Sequence, residues 1–102
     1  MSRLDELIHQ PLRLKIMAAL YAEGEREIEF PRLKRIVEAT DGNLGSHLST
    51  LENAGYVAIA KDFIGKKPRT RVALTVEGRR AFRSHVAYLR EVVEAADLPK
   101  EE

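Results

Sequence analysis

Four cations in the second half of the chain could make direct contacts with a polyanion. Lys66, Lys67, Arg69 and Arg71 lie within six residues, next to a glycine and around a proline. Ammonium and guanidinium groups pair with phosphates and release the counterions that a nucleic acid carries. We expect these four side chains to contact the backbone or minor groove of double-stranded DNA.

A second set of candidate contacts comes from a predicted helix over residues 42 to 54. Its leucines recur at intervals of four and three, so they mark an inner face. At about 100° per residue, the opposite arc is polar and free of acidic residues. Short polar side chains can donate and accept at base edges and phosphates. The residues expected to contact the major groove are Asn43, Ser46, His47 and Thr50.

The helix before this one, over residues 31 to 38, begins with three further cations. Arg32, Lys34 and Arg35 follow Pro31, which suits the first turn of a helix. We expect these three side chains to hold a second stretch of DNA backbone. The two helices are separated by Ala39-Thr40-Asp41, a short connection that is typical of a helix-turn-helix pair.

The elements that must position these residues follow from periodicity and from the placement of proline and glycine. The predicted order is helix, helix, short strand, helix, helix, strand, strand, helix. Ser2 is the expected cap of the first helix, and the sequence leaves open whether the chain breaks or kinks at Gln10-Pro11. The last two strands form a hairpin, or wing, whose basic segment covers residues 64 to 71 and whose loop runs from Ile64 to Pro68. This order predicts an α+β, mostly helical fold of the winged helix-turn-helix type, with a three-helix core, a two- to three-stranded antiparallel sheet and an extra terminal helix.

The last helix, over residues 76 to 96, carries more apolar surface than one domain needs to cover it. The first helix, within residues 2 to 10, offers a smaller apolar surface of the same kind. Surplus apolar surface on terminal helices favours a two-fold homodimer. The residues expected at that interface are Leu4, Leu7, Ile8, Phe82, His85, Leu89, Val92 and Val93.

Composition narrows the functional classes further. The length of 102 residues fits a single domain over residues 1–102. The net charge is only +1, yet residues 61 to 83 carry +6 and the remainder −5, which indicates a basic face. Cysteine is absent and the three histidines show no metal-ligand spacing, so we expect no metal site. The sequence shows neither a nucleophile–base pair nor a phosphate-binding loop, so we expect no catalytic residues and no cofactor. The chain has no long apolar run or secretory signal, which predicts a soluble cytoplasmic protein without membrane contact.

Taken in order, these motifs resemble the small prokaryotic winged-helix transcriptional regulators related to the MarR and ArsR families. The matching segments are residues 9–17 (HQPLRLKIM), 40–48 (TDGNLGSHL), 51–57 (LENAGYV), 68–70 (PRT) and 74–79 (LTVEGR). The resemblance implies a dimeric, sequence-specific DNA-binding protein that blocks or recruits transcription. The chain differs from metal-sensing ArsR proteins in lacking cysteine, and it lacks the longer dimerisation helices of most MarR proteins.

Two alternatives use the same fold without this function. A winged helix can serve as a protein-interaction module, which predicts an apolar or mixed-charge surface in place of a basic wing. It can also bind RNA. Binding to duplex DNA that weakens as salt rises would distinguish the first of these alternatives from a DNA-binding protein.

Overall fold

The computed structural model describes residues 3–99, which form five helices and one three-stranded sheet. The elements are α1 (Glu6–His9), α2 (Pro11–Ala22), β1 (Ile28–Glu29), α3 (Phe30–Val37), α4 (Asp41–Asn53), β2 (Val57–Ile64), β3 (Lys67–Leu74) and α5 (Val76–Ala95). Their order confirms the predicted winged helix-turn-helix plan.

The first two helices are separate. Gln10 between them has an extended backbone, and its side chain accepts a hydrogen bond from the Arg13 N–H at the start of α2. Asp5 caps α1 by accepting from the N–H groups of Leu7 and Ile8. The predicted cap at Ser2 lies outside the described residues.

The sheet is antiparallel throughout, with β3 between β1 and β2. The short strand β1 is the third member of the sheet, and Ile28 lies opposite Val72. The core is formed by buried side chains from α1 to α4 and from the three strands: Ile8, Ile16, Met17, Leu20, Ile28, Leu33, Val37, Leu44, Leu48, Leu51, Val57, Val72 and Leu74.

The hairpin turn is tighter than the predicted loop over Ile64 to Pro68. Only Gly65 and Lys66 lie between the strands, and Gly65 has a φ of 62°. A two-residue hairpin turn needs positive φ at its first or both central positions, which glycine adopts without strain. Pro68 therefore lies in β3, opposite Phe63. β3 tolerates it because β1 pairs only with Arg71 and Val72, so the outer part of β3 is an edge on that side.

The first turn of α5 packs closely against Tyr56, which lies between α4 and β2. Thr75 caps α5 by accepting from the Gly78 N–H at 2.9 Å. Gly78 is buried, and a Cβ on it would collide with the backbone carbonyl of Tyr56. The same carbonyl accepts a hydrogen bond from the Thr75 N–H. Gly78 is therefore required here for close backbone approach.

Candidate nucleic-acid interface

Helix α4 presents the polar arc expected from its sequence. Thr40 caps it by accepting from the Asn43 N–H at 3.1 Å, and Leu44, Leu48 and Leu51 are buried against the core. The expected contact residues lie on the other side of the helix, where Asn43 and Ser46 are exposed while His47 and Thr50 are half-buried. Thr50 Oγ1 donates to the Ser46 carbonyl at 3.3 Å, so this hydroxyl is partly engaged within its own helix.

The imidazole of His47 is held by a residue that the sequence did not point to. Arg13, in α2, places Nη1 3.0 Å from His47 Nδ1 and also donates from Nε to the Leu7 carbonyl. Because a guanidinium has no acceptor, this hydrogen bond requires Nδ1 to be the accepting nitrogen of the ring. The proton then lies on Nε2, which leaves His47 with an N–H donor at the edge of the polar arc.

A groove separates α4 from the hairpin and has walls from both. On the helix side it is lined by Gly45, Leu48, Ser49 and Glu52, and on the hairpin side by Ile59, Lys61 and Thr70. Phe30, the first residue of α3, also lines it. The groove therefore brings one flank of α4 next to the hairpin, while Asn43, Ser46, His47 and Thr50 are not among the residues that line it. Glu52 brings a carboxylate to this side, on the flank of the arc that the sequence indicated to be free of acids.

The two faces of the hairpin differ in charge pairing. Residues directly opposite in an antiparallel pair project to the same face, so Lys61 and Thr70 share the face along the groove. Asp62 and Arg69 are opposite each other on the other face, where Arg71 also lies.

On that second face the predicted wing arginines are engaged within the protein. Arg69 binds Asp62 through two hydrogen bonds of 2.9 and 2.7 Å. Arg71 lies 2.6 Å from Glu27 and 3.2 Å from Asp62. The hydrogen bonds from Arg69 lower the pKa of Asp62, and those to Asp62 raise the pKa of Arg69. Both groups are therefore charged at neutral pH, and a carboxylate within the protein already offsets part of the positive charge of each arginine.

The two wing lysines are placed differently from the two arginines. Lys66 and Lys67 lie at the hairpin turn and are exposed. Neither forms an ion pair with any other residue between positions 3 and 99. These two ammonium groups are thus available to a polyanion without the loss of an internal contact.

The cations of α3 are divided in the same way. Arg32 pairs with Glu23 at 2.7 Å and Lys34 with Asp41 at 2.8 Å. The hydrogen bond from Arg32 holds the pKa of Glu23 below its usual value. Arg35 is exposed, and within the described part of the chain it has no ion-pair partner. Of the three expected backbone contacts, only Arg35 is uncommitted.

The residues expected at a dimer interface fall into three groups. Leu4, Val92 and Val93 are exposed, and Leu7, Phe82 and Leu89 are half-buried. Ile8 and His85 are fully buried in the subunit itself. The prediction is wrong for these last two, because a side chain without exposed surface adds no contact area to an interface.

His85 is part of a polar network that joins α5 to the start of the chain. Its Nδ1 accepts from the Asp5 N–H at 3.1 Å, and its Nε2 lies 3.4 Å from His9 Nδ1. Burial lowers the pKa of His85, with a further decrease from His9 that Asp5 opposes. Asp5 also accepts from the Tyr56 hydroxyl at 2.7 Å. Burial and this carboxylate raise the pKa of Tyr56 to about 12.

Between positions 3 and 99, no group of three or more His, Cys, Asp or Glu side chains is arranged to hold a metal ion. None of the described helices is long and apolar enough to cross a membrane.

Comparison with known proteins identifies the family. The sequence profile of the winged helix DNA-binding domain matches residues 12–93. An uncharacterized protein of Methanocaldococcus jannaschii is 37% identical over 81 residues, which cover 79% of this chain and 86% of that protein. A transcriptional regulator homologue from Pyrococcus horikoshii superposes with a TM-score of 0.83 at 32% identity, over 92% of this chain and 91% of its own.

Two more distant structures share the fold. The PcaV transcriptional regulator from Streptomyces coelicolor has a TM-score of 0.70 at 22% identity, over 94% of this chain and 67% of its own. A MarR-family protein from Porphyromonas gingivalis has a TM-score of 0.57 at 19% identity, over 98% of this chain and all of its own. These two likenesses show that the fold is shared with such proteins. The matched family is one of DNA-binding domains, not of enzymes. The chain belongs to the winged helix DNA-binding domain family.

Proposed function

We propose that this protein is a sequence-specific transcriptional regulator that binds double-stranded DNA. In this proposal α4 enters the major groove and the hairpin tip reaches the adjacent minor groove or backbone. The observation that carries it is that α4 and the hairpin border one groove in a chain that belongs to a family of DNA-binding domains. An α-helix fits the major groove, and a hairpin beside it meets the neighbouring stretch of duplex.

The proposal divides the contacts between specificity and affinity. Asn43, Ser46 and the Nε2–H of His47 are the side chains that would read base edges, while Thr50 would contribute through its methyl group or its hydroxyl. Arg13 is a positioning residue, because it sets the tautomer of His47 without lying on the arc.

Affinity would come mainly from cations that have no internal partner. Lys66, Lys67 and Arg35 meet that condition in the described chain, and Lys61 lies along the groove as a further candidate. Arg69, Arg71, Arg32 and Lys34 would contribute less, since a neighbouring carboxylate already offsets the charge of each.

We also propose that the protein acts as a homodimer through the terminal helices. Val86, Leu89 and Val93 line an apolar groove along α5. Val92, which is half exposed, extends this surface, and Leu4, Leu7 and Phe82 are the remaining candidates. A two-fold dimer would present two α4 helices to half-sites about one DNA turn, roughly 34 Å, apart. In this proposal residues 1–102 form a single DNA-binding domain, and the protein acts on DNA in the cytoplasm.

Selection of bound fragments from random duplex DNA tests the proposal. The expected result is an enriched inverted repeat whose half-sites are about 10 base pairs apart. Light scattering on the purified protein should report twice the mass of one chain. Failure to retain any duplex at low salt would contradict DNA binding and favour the protein-interaction alternative, whereas enrichment from a parallel RNA pool alone would favour RNA binding.

A further inference from the structure

The tip of the hairpin exposes two large apolar side chains. Phe63 is 69% exposed and Ile64 is 59% exposed, which places them among the most exposed large hydrophobic residues of the described chain. They are adjacent, and both lie outside the hydrophobic core and the side chains packed against it. Exposed aromatic and β-branched residues at a hairpin tip favour aggregation, so their presence indicates a surface that becomes covered.

The strand register gives the direction in which Phe63 projects. Phe63 lies opposite Pro68, and both share the hairpin face of Lys61 and Thr70. That face borders the groove against α4. Phe63 and Pro68 therefore form an apolar end to the hairpin face that borders this groove.

The hairpin is long enough to carry this end into a DNA groove. Its pairing with β1 ends at Arg71, so four residues of β3, from Lys67 to Thr70, extend beyond the three-stranded part of the sheet. At about 3.3 Å per residue this projection is roughly 13 Å. The minor groove of B-DNA is about 7.5 Å deep, which is within that reach.

The charges around the tip indicate what covers it. Lys66 and Lys67 flank Phe63 and Ile64, and the nearby carboxylate of Asp62 is held by Arg69. A partner that suits this tip carries negative charge at its surface and offers apolar contact behind that charge. Duplex DNA has both in its phosphates and its base stack. An anionic membrane has both as well. The tip, however, shares a hairpin face with the groove along α4, and this position favours DNA.

We propose that Phe63, supported by Pro68, is an apolar wedge that enters the minor groove beside the α4 site and partly separates one base step. This inference rests on the proposed function, because it adds an apolar contact to the same DNA interface. Apolar side chains that insert between base steps kink DNA by about 20–90° towards the major groove. The wing would then bend the duplex in addition to holding its phosphates.

The experiment uses the full chain and a duplex of about 30 base pairs taken from the selected sequences. Donor and acceptor dyes at the two ends report the end-to-end distance by energy transfer. The compared proteins are the unsubstituted chain, Phe63→Ser, Phe63→Leu and the control Leu98→Ser. Leu98 is 64% exposed, follows α5 and belongs to none of the proposed interfaces, so its substitution removes a comparable apolar surface elsewhere.

We expect the unsubstituted protein and Leu98→Ser to bend the duplex by at least about 20°. Phe63→Leu should retain most of the bend, since leucine also serves as a wedge, and Phe63→Ser should lose it. The affinity of Phe63→Ser should fall about tenfold, while the dependence of its affinity on salt should not change because no charge is altered.

The outcomes separate this inference from the function on which it rests. Binding without bending by the unsubstituted protein, or an equal bend with Phe63→Ser, would overturn the wedge and leave DNA binding intact. Absence of duplex binding by the unsubstituted protein would overturn both. Binding to phosphatidylserine-containing vesicles that Phe63→Ser abolishes, with unchanged DNA bending, would assign the tip to a membrane and overturn the wedge.

Discussion

The wing lysines and the wing arginines should contribute differently to the salt dependence of DNA binding. The perturbation is a matched pair of double variants, Lys66→Gln with Lys67→Gln, and Arg69→Gln with Arg71→Gln. Both remove two positive charges from neighbouring positions of one hairpin. Only the arginines are bound to carboxylates, through contacts to Asp62 and Glu27.

The expected magnitude follows from these contacts. Each cation that meets a phosphate contributes about 0.9 to the slope of log affinity against log salt. If both lysines meet phosphates, their double variant flattens the slope by about 1.8, and between 50 and 200 mM salt it loses roughly tenfold less affinity than the unsubstituted protein. The arginine variant should flatten the slope by less than about half as much, because each arginine is already neutralised by a carboxylate.

Fluorescence anisotropy with a labelled duplex, measured from 50 to 300 mM salt, gives the slope directly. Thermal unfolding of each variant checks that the fold is retained, which matters most for the arginine variant because it loses the contacts to Asp62. An equal flattening by the two double variants would refute the reasoning. It would mean that the ion pairs on the far face of the hairpin open when DNA binds.

Three further predictions follow from contacts outside the wing. Gly78→Ala should lower the free energy of unfolding, measured in urea, by about 2–4 kcal/mol. The new Cβ would collide with the Tyr56 carbonyl and disturb the hydrogen bond that this carbonyl accepts from the Thr75 N–H. The control Gly45→Ala, with no atom within 4 Å of the new Cβ, should be neutral or slightly stabilising. Burial lowers the pKa of His85 from 6.5, so the unfolded chain binds this proton more tightly than the folded chain. The urea midpoint of unfolding should therefore be constant above about pH 6.5 and decrease below that pH. His85→Gln should weaken this pH dependence, and an unchanged pH profile in the variant would contradict the prediction. Glu52→Gln should raise the affinity for all duplexes about two- to fivefold by removing a negative charge beside the phosphates, whereas a loss confined to the selected sequence would show that Glu52 reads a base.

The order of elements was predictable because local signals determine it. Proline and glycine mark the ends of the elements, leucine spacing marks the inner face of α4, and Thr40 and Thr75 are caps whose function depends on residues three positions away. The loop prediction failed at Pro68 because the sequence does not show that β1 covers only two positions of β3.

The candidate site was predictable only in part, because its charges depend on contacts between distant segments. The pair between Arg71 and Glu27 forms only once β1 lies beside β3. Arg13 reaches His47 only when α2 packs near α4. Lys61 lines the groove but was not among the predicted contacts. The alternation along β2, which puts Lys61 on the same face as Val57 and Ile59, was the signal that could have identified it.

Site-directed cleavage of bound DNA tests most directly whether the arc of α4 and the hairpin tip form one footprint. The chain has no cysteine, so Ser46→Cys and Lys66→Cys each provide a single attachment point for an iron chelate that cuts DNA nearby. On a selected duplex, we predict cuts centred in the major groove from position 46 and in the adjacent minor groove from position 66, about half a turn or 5 base pairs away. Cuts from both positions in the same groove, or cuts from position 46 alone, would contradict the account.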